Sequence, residues 1–175
     1  LRRLTGVRAR IHPDAVEYFP GDGLPARIAR ALAVRKALPI KELFESFEFF
    51  ERTRRRVRAE AVADLCCGHG LTGVLFAVFE RRVERVTLVD RRRPPSFDTI
   101  MEAVASEAPW VTGKVRYRET SLERAGDDLE PGTSVIGVHA CGVRTDMCIN
   151  LAVGTGGALA VMPCCYFRTA TDGPA

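Results

Sequence analysis

The sequence predicts an α/β fold: an open, mainly parallel sheet with helices on both faces, in three layers. Three observations carry this. From residue 61 onward, short apolar runs alternate with stretches of helical periodicity. Most of these runs are apolar on both faces, the pattern of a strand covered from either side. A glycine-rich turn follows the first run and leads straight into a helical stretch.

Residues 1–60 form an N-terminal helical segment, and 61–175 the sheet domain. In the first, Leu24, Ile28 and Leu32 recur at four-residue spacing, Pro39 breaks the pattern, and Leu43, Phe44, Phe47 and Phe50 make a second stripe. In the second, 61–65, 85–89, 134–139 and 158–162 read as buried parallel strands ended by Gly, Asp or Pro. Helical faces lie between them: Val74, Leu75, Val78 and Phe79, then Phe97, Ile100, Met101 and Val104, then Met147, Cys148 and Leu151. At 114–119, Val115 and Tyr117 alternate with Lys114, Arg116 and Arg118, as in an edge strand with one wet side. Asp127-Asp128 and Pro131-Gly132 mark a loop.

A chain of 175 residues has room for one well-buried core. No apolar stretch approaches the ~20 residues of a membrane span, so the chain reads as soluble, with no membrane partner. It opens on Leu1 with neither methionine nor a signal-like segment, as a trimmed chain would. The net charge is only +4, but arginine clusters at 52–58, 81–85 and 91–93. These runs are either a track for a phosphate-bearing partner or solvated faces paired with Glu48, Glu51, Glu60 or Glu84. The six cysteines include two adjacent pairs, without the spacing of a secreted disulfide scaffold, so a reducing, cytoplasmic setting is expected. No structural zinc motif is present.

The turn after the first strand runs Asp64-Leu65-Cys66-Cys67-Gly68-His69-Gly70-Leu71-Thr72-Gly73. Glycines at 68, 70 and 73 let a backbone approach a ligand, and Asp90 ends the second strand where a carboxylate can accept both hydroxyls of a ribose. Gly68–Gly73 alone fits the dinucleotide fingerprint of an NAD-dependent oxidoreductase. A strand-ending carboxylate at Asp64 argues instead for a cofactor with an amino group and a sulfonium. Glu119, Thr120 and Ser121 follow the third strand. The fourth ends in His139-Ala140-Cys141-Gly142-Val143-Arg144-Thr145-Asp146, and the fifth in Pro163-Cys164-Cys165-Tyr166-Phe167. Parallel strands bring all these ends to one crevice.

The 64–70 stretch resembles motif I of class I methyltransferases, D-x-G-x-G-x-G, with Cys66 at the first glycine. With the H-A-C-G-x-x-T-D and P-C-C-Y strings, residues 61–167 resemble the methyltransferase domain of the glutathione S-transferase C-terminal-domain-containing protein and its relatives. More distantly they resemble the tRNA 2′-O-methyltransferase of the acceptor stem. The resemblance implies a Rossmann-like sheet in order 3-2-1-4-5 and S-adenosyl-L-methionine as cofactor. That fold normally adds two strands, so either the member is shortened or its last strands lie outside this stretch of chain. The expected cofactor set is Asp64, Cys66, Cys67, Gly68, His69, Gly70, Asp90, Thr120, Ser121 and His139, with the adenine near Thr120 and Ser121. His139 is a candidate base with suitable chemistry near neutral pH. Asp146 is either a second catalytic group or a cap for its own helix. Cys141, Cys164, Cys165 and Tyr166 are expected on the acceptor side. RNA is the favoured acceptor, argued from arginine chemistry, an aromatic available for stacking and the tRNA-methylating analogy. A methyltransferase-like interaction module is the non-catalytic alternative. The cysteines, with His69 and His139, also raise a soft-metal site, which adjacent pairs disfavour because their side chains diverge. An exposed fifth-strand edge would favour a homodimer.

Overall fold

The structure, a computed structural model, describes residues 9–164. Its centre is one sheet of β1 (Ala61–Leu65), β2 (Arg85–Asp90), β3 (Val115–Glu119), β4 (Ser134–Val138) and β5 (Leu159–Met162), in order β3-β2-β1-β4-β5. Every pairing is parallel. This is the Rossmann-like order that the motifs imply. β3 pairs on one side alone and exposes Arg116, as its alternating sequence requires. Among the described residues β5 also pairs only with β4. The histidine expected to close β4 lies just beyond it, because His139 turns to φ 64 and leaves extended geometry.

The helices are α1 (Leu24–Val34), α2 (Ile40–Thr53), α3 (Leu71–Phe79), α4 (Ser96–Ala105) and α5 (Val143–Thr155). α3 is buried from Leu71 to Val78, with no wet face, since it touches α2, α4 and the sheet together. α1 and α2 share its core: Ile28, Leu32, Leu43 and Phe50 cluster with Val74 and Phe76. No described helix is long and apolar enough to cross a membrane.

α2 corrects the apolar stripe. Its buried face is Leu43, Ser46, Phe49 and Phe50, while Phe44 is 53% exposed. A polar residue is tolerated in that seam because Ser46 Oγ and Thr72 Oγ1 hydrogen-bond at 3.2 Å.

The direction of α2 matters for function. Its first turns reach the carboxyl ends of the strands, where Glu42 meets His69 and Glu45 meets His139. Its last turn points the other way: Arg54 pairs at 2.7 Å with Glu80, which caps the far end of α3. Arg52, Arg54, Arg55, Arg56 and Arg58 therefore lie toward the amino ends of the strands, not at the crevice rim. Three of them line a small polar hollow with Glu51 and Glu80. The paired-surface reading holds for Arg52 and Arg54, which bridge Glu48 and Glu51.

Candidate active site

The strand order reverses between β1 and β4, and the crevice opens at their carboxyl ends. A cavity of about 530 Å³ lies over β1, β2 and β4 and is walled by Asp90, Thr120, Leu122, Glu123, Val143 and Met147, among others. That volume suits a small-molecule or cofactor site. A second cavity, about 250 Å³, lies on the α2 side between Glu42, Glu45, Ser46, Cys67, Gly68, His69 and Thr72. Cys66 and His139 line both and form the divide. Both hold positive φ, 57 and 64, a region non-glycine residues rarely occupy. Strain of roughly 1–3 kcal/mol per residue is thus held at two adjacent strand tips. The first glycine of motif I would meet this backbone without strain.

The turn after β1 is tied to β2 and β3. The Gly68 N–H donates to Asp90 Oδ2 at 2.9 Å, and the Arg91 N–H to Asp90 Oδ1 at 2.7 Å. Each carboxylate oxygen keeps a further lone pair for a crevice ligand. The Tyr117 hydroxyl lies 2.8 Å from the Gly68 carbonyl and 3.0 Å from that of Arg92. A Cβ on Gly68 (φ 53) would meet nothing within 4 Å, so its crevice side is open. Gly70 is different: at φ 77, a Cβ there would come 2.5 Å from Leu88 Cδ1.

Asp64 lies beneath this turn. It is 1% exposed and its Oδ2 accepts the Gly73 N–H at 2.9 Å. Oδ1 is buried without a partner. Burial pushes its pKa up to about 7, with the Asp90 charge adding to the rise and the Gly73 N–H opposing it. Burial likewise raises the thiols of Cys66 and Cys67, which stay protonated at neutral pH.

On the β4 side, His139 Nε2 lies 3.1 Å from Glu45 Oε2, and Lys41 holds Glu45 Oε1 at 3.1 Å. His139 Nδ1 is buried without a partner. If Glu45 accepts the Nε2 proton, Nδ1 carries the lone pair. His69 is a clamp: Nδ1 accepts the Leu71 N–H at 3.2 Å, leaving Nε2 to bond Glu42 at 2.6 Å. That bond lowers the Glu42 pKa despite partial burial.

A family model described as a methyltransferase domain matches residues 35–172. The chain belongs to that family. The match begins before α2, so the helix supplying Glu42 and Glu45 lies within the methyltransferase domain. The glutathione S-transferase C-terminal domain-containing protein of Xenopus laevis is 28% identical over 159 residues, which cover 86% of this chain and 23% of that protein. The chain thus spans under a quarter of that relative. Among solved structures, the S-adenosylmethionine-dependent methyltransferase SibL in its apo form aligns over 83% of this chain and 45% of its own, at 20% identity and TM-score 0.45. The plantazolicin methyltransferase BamL, in complex with a triazolic desmethylPZN analog and SAH, aligns over 75% and 54%, at 11% identity and TM-score 0.37.

The methyltransferase domain gathers Cys66, Asp90, Thr120, His139 and Cys141 around the larger cavity, and Cys67, Gly68 and His69 around the smaller. Other expected residues fall elsewhere. Asp64 and Gly70 are buried under the turn as supports, because their positions face α3 and Leu88. Ser121 precedes a 3-10 turn, where its side chain bonds Glu123, and Asp146 is exposed on α5; neither borders the larger cavity. Cys164 sits beside Cys141. Cys165 and Tyr166 lie outside the described residues. The cysteines and histidines divide between the two cavities, and no described cluster of three or more His, Cys, Asp or Glu forms a metal-holding group. Glu42, Glu45, Glu123, Arg144 and Met147 were not anticipated as site residues. No spacing in the sequence marks them, since the seam that aims α2 at the crevice, with Ser46 in it, differs from the apolar stripe.

Proposed function

We propose that this domain is an S-adenosylmethionine-dependent methyltransferase, and the observation that carries the reading is Asp90. Its carboxylate borders the 530 Å³ cavity and is already anchored by two backbone N–H groups, so it is preorganised to accept a ribose diol. The open face of Gly68 fits a cofactor that passes close to the backbone of this turn. Thr120, Leu122 and Glu123 border the adenine end, with Met147 opposite. When bound, S-adenosylmethionine supplies an electrophilic methyl group on a sulfonium.

The chain's own residues align and deprotonate. His139, on the divide between the cavities, is the base we assign: Glu45 orients its ring, Lys41 holds Glu45, and Nδ1, enclosed in this structure, takes the acceptor's proton once the acceptor opens the divide. The acceptor class we propose is RNA, on a narrower footing than the arginine runs first offered. Arg91, exposed after β2, and Arg144, exposed on α5, line the crevice. The test is incubation with methyl-labelled S-adenosylmethionine and separated cellular RNA, protein and small-molecule fractions. Label in RNA, lost in Asp90→Ala and falling steeply with salt, is expected. Label confined to protein or small molecules overturns the acceptor. Cofactor binding without label in any fraction favours the interaction module.

A further inference from the structure

Cys141 and Cys164 follow the neighbouring strands β4 and β5, and their sulfurs lie 3.0 Å apart. The Cys164 N–H also donates to Cys141 Sγ at 3.0 Å. The separation distinguishes two uses of paired thiols. Two thiolates on one tetrahedral metal, with bonds of ~2.3 Å, stand about 3.8 Å apart. A disulfide requires ~2.05 Å. The pair is already closer than a shared metal allows and about 1 Å from bonding distance.

Its surroundings differ from those of the other crevice thiols. Burial raises Cys66, Cys67 and Cys148, which favours their protonated forms. Cys164 is exposed, whereas Cys141 is half-buried and receives the Cys164 amide N–H. One sulfur is thus placed to meet a reagent from solvent and the other to resolve it.

We propose that Cys141 and Cys164 form an oxidisable dithiol, a modification site that takes a low-molecular-weight disulfide as oxidant. The Cys164 thiolate attacks one sulfur of the small disulfide, forming a mixed disulfide and releasing one small thiolate. The Cys141 thiolate then attacks Cys164 Sγ, forming the internal disulfide and releasing the second. The protein loses two electrons and two protons, and the small disulfide becomes two thiols. The cross-link ties the turn carrying His139 and Gly142 to the end of β5. If the methyltransferase reading holds, it restrains the wall of the Asp90 cavity that Cys141 and Gly142 line.

The test is titration of the full chain with reduced and oxidised glutathione, followed by mass mapping of every cysteine. Loss of two hydrogens, with one cross-link between 141 and 164, is expected. Cys165→Ser should keep it, and Cys141→Ser should stop at a glutathione adduct on Cys164. A cross-link through Cys165, Cys66 or Cys67, or a wild-type protein that accumulates only mixed adducts, overturns the proposal. S-adenosylhomocysteine affinity, measured before and after oxidation, should shift by more than about twofold, because Cys141 lines the same cavity as Asp90; an unchanged affinity overturns the restraint on that wall. If neither form binds it, the methyltransferase reading fails while the mass map still decides the dithiol.

Discussion

The turns after β1 and β4 meet at the same divide but are held in different ways. The first is held mainly by its own main chain: Gly68 N–H on Asp90, the Tyr117 hydroxyl at the Gly68 carbonyl, and Cys67 N–H on Val89. The partners of its main chain come from β2 and β3, in register beside it, while His69 reaches α2 through Glu42. The second has a backbone bond from His139 N–H to Met162, but its side chains depend on Glu45, 94 positions earlier, and on Cys164. On the function proposed above, the cofactor side is therefore held largely through its backbone, and the acceptor side through distant side chains. Substitutions should separate the two.

The largest effect is expected on the first turn. Asp90→Ala removes a charged acceptor from two ribose hydroxyls and from two backbone N–H groups. At about 1.5–3 kcal/mol per charged hydrogen bond, S-adenosylhomocysteine affinity should fall more than about 100-fold by calorimetry. An equal loss in Glu45→Ala would erase the distinction between the turns.

Gly70→Ala should destabilise the fold by about 1–3 kcal/mol in urea unfolding, since its Cβ meets a fully buried Leu88 at 2.5 Å and φ is 77. The acid beneath the same turn predicts a pH dependence. Asp64 holds a proton when folded that it lacks unfolded, between its ordinary 3.8 and about 7. Stability contributed by this group is complete below that window and lost as pH rises through about 7. Asp64→Asn keeps an acceptor for Gly73 and should flatten the slope; unfolding at both ends of the window checks it.

The sequence disclosed the β1 side well and the β4 side poorly, for the reason the contrast supplies. Gly68, Gly70, Gly73 and Asp90 serve a local strand-turn-helix geometry, so their spacing carries the information. The edge character of β3 was legible in its alternation, and the strand order came with the family resemblance. That Asp64 and Gly70 lie buried beneath the turn was not legible, because a motif names positions without saying which way they face. Glu45 was invisible, because in sequence it is one acid on an amphipathic helix and only the packing of α2 brings it to His139. That the arginines at 52–58 point away from the crevice was not legible, because the direction of α2 relative to the sheet is not written in its periodicity.

Glu45→Ala should lower turnover about tenfold, a fraction of a general base's usual contribution, with S-adenosylhomocysteine affinity changed less than twofold. Glu45→Gln, which can still accept the Nε2–H, should recover part of the loss, and nitrogen shifts of His139 should report the Nε2–H tautomer. A wild-type Nδ1–H tautomer would refute the positioning role. The smallest effect is expected at Cys66. Cys66→Gly releases roughly 1 kcal/mol of backbone strain and clears the crevice wall, so S-adenosylhomocysteine affinity should rise up to about fivefold. A loss of affinity would mean that the thiol contributes to binding.

The central claim is that the crevice between β1, β2 and β4 is a site for S-adenosylmethionine. Calorimetric titration of the wild-type chain with S-adenosylhomocysteine, and separately with NADH, tests it most directly. Saturable one-to-one binding of S-adenosylhomocysteine with no heat from NADH is the predicted result; binding of NADH in its place would contradict the account.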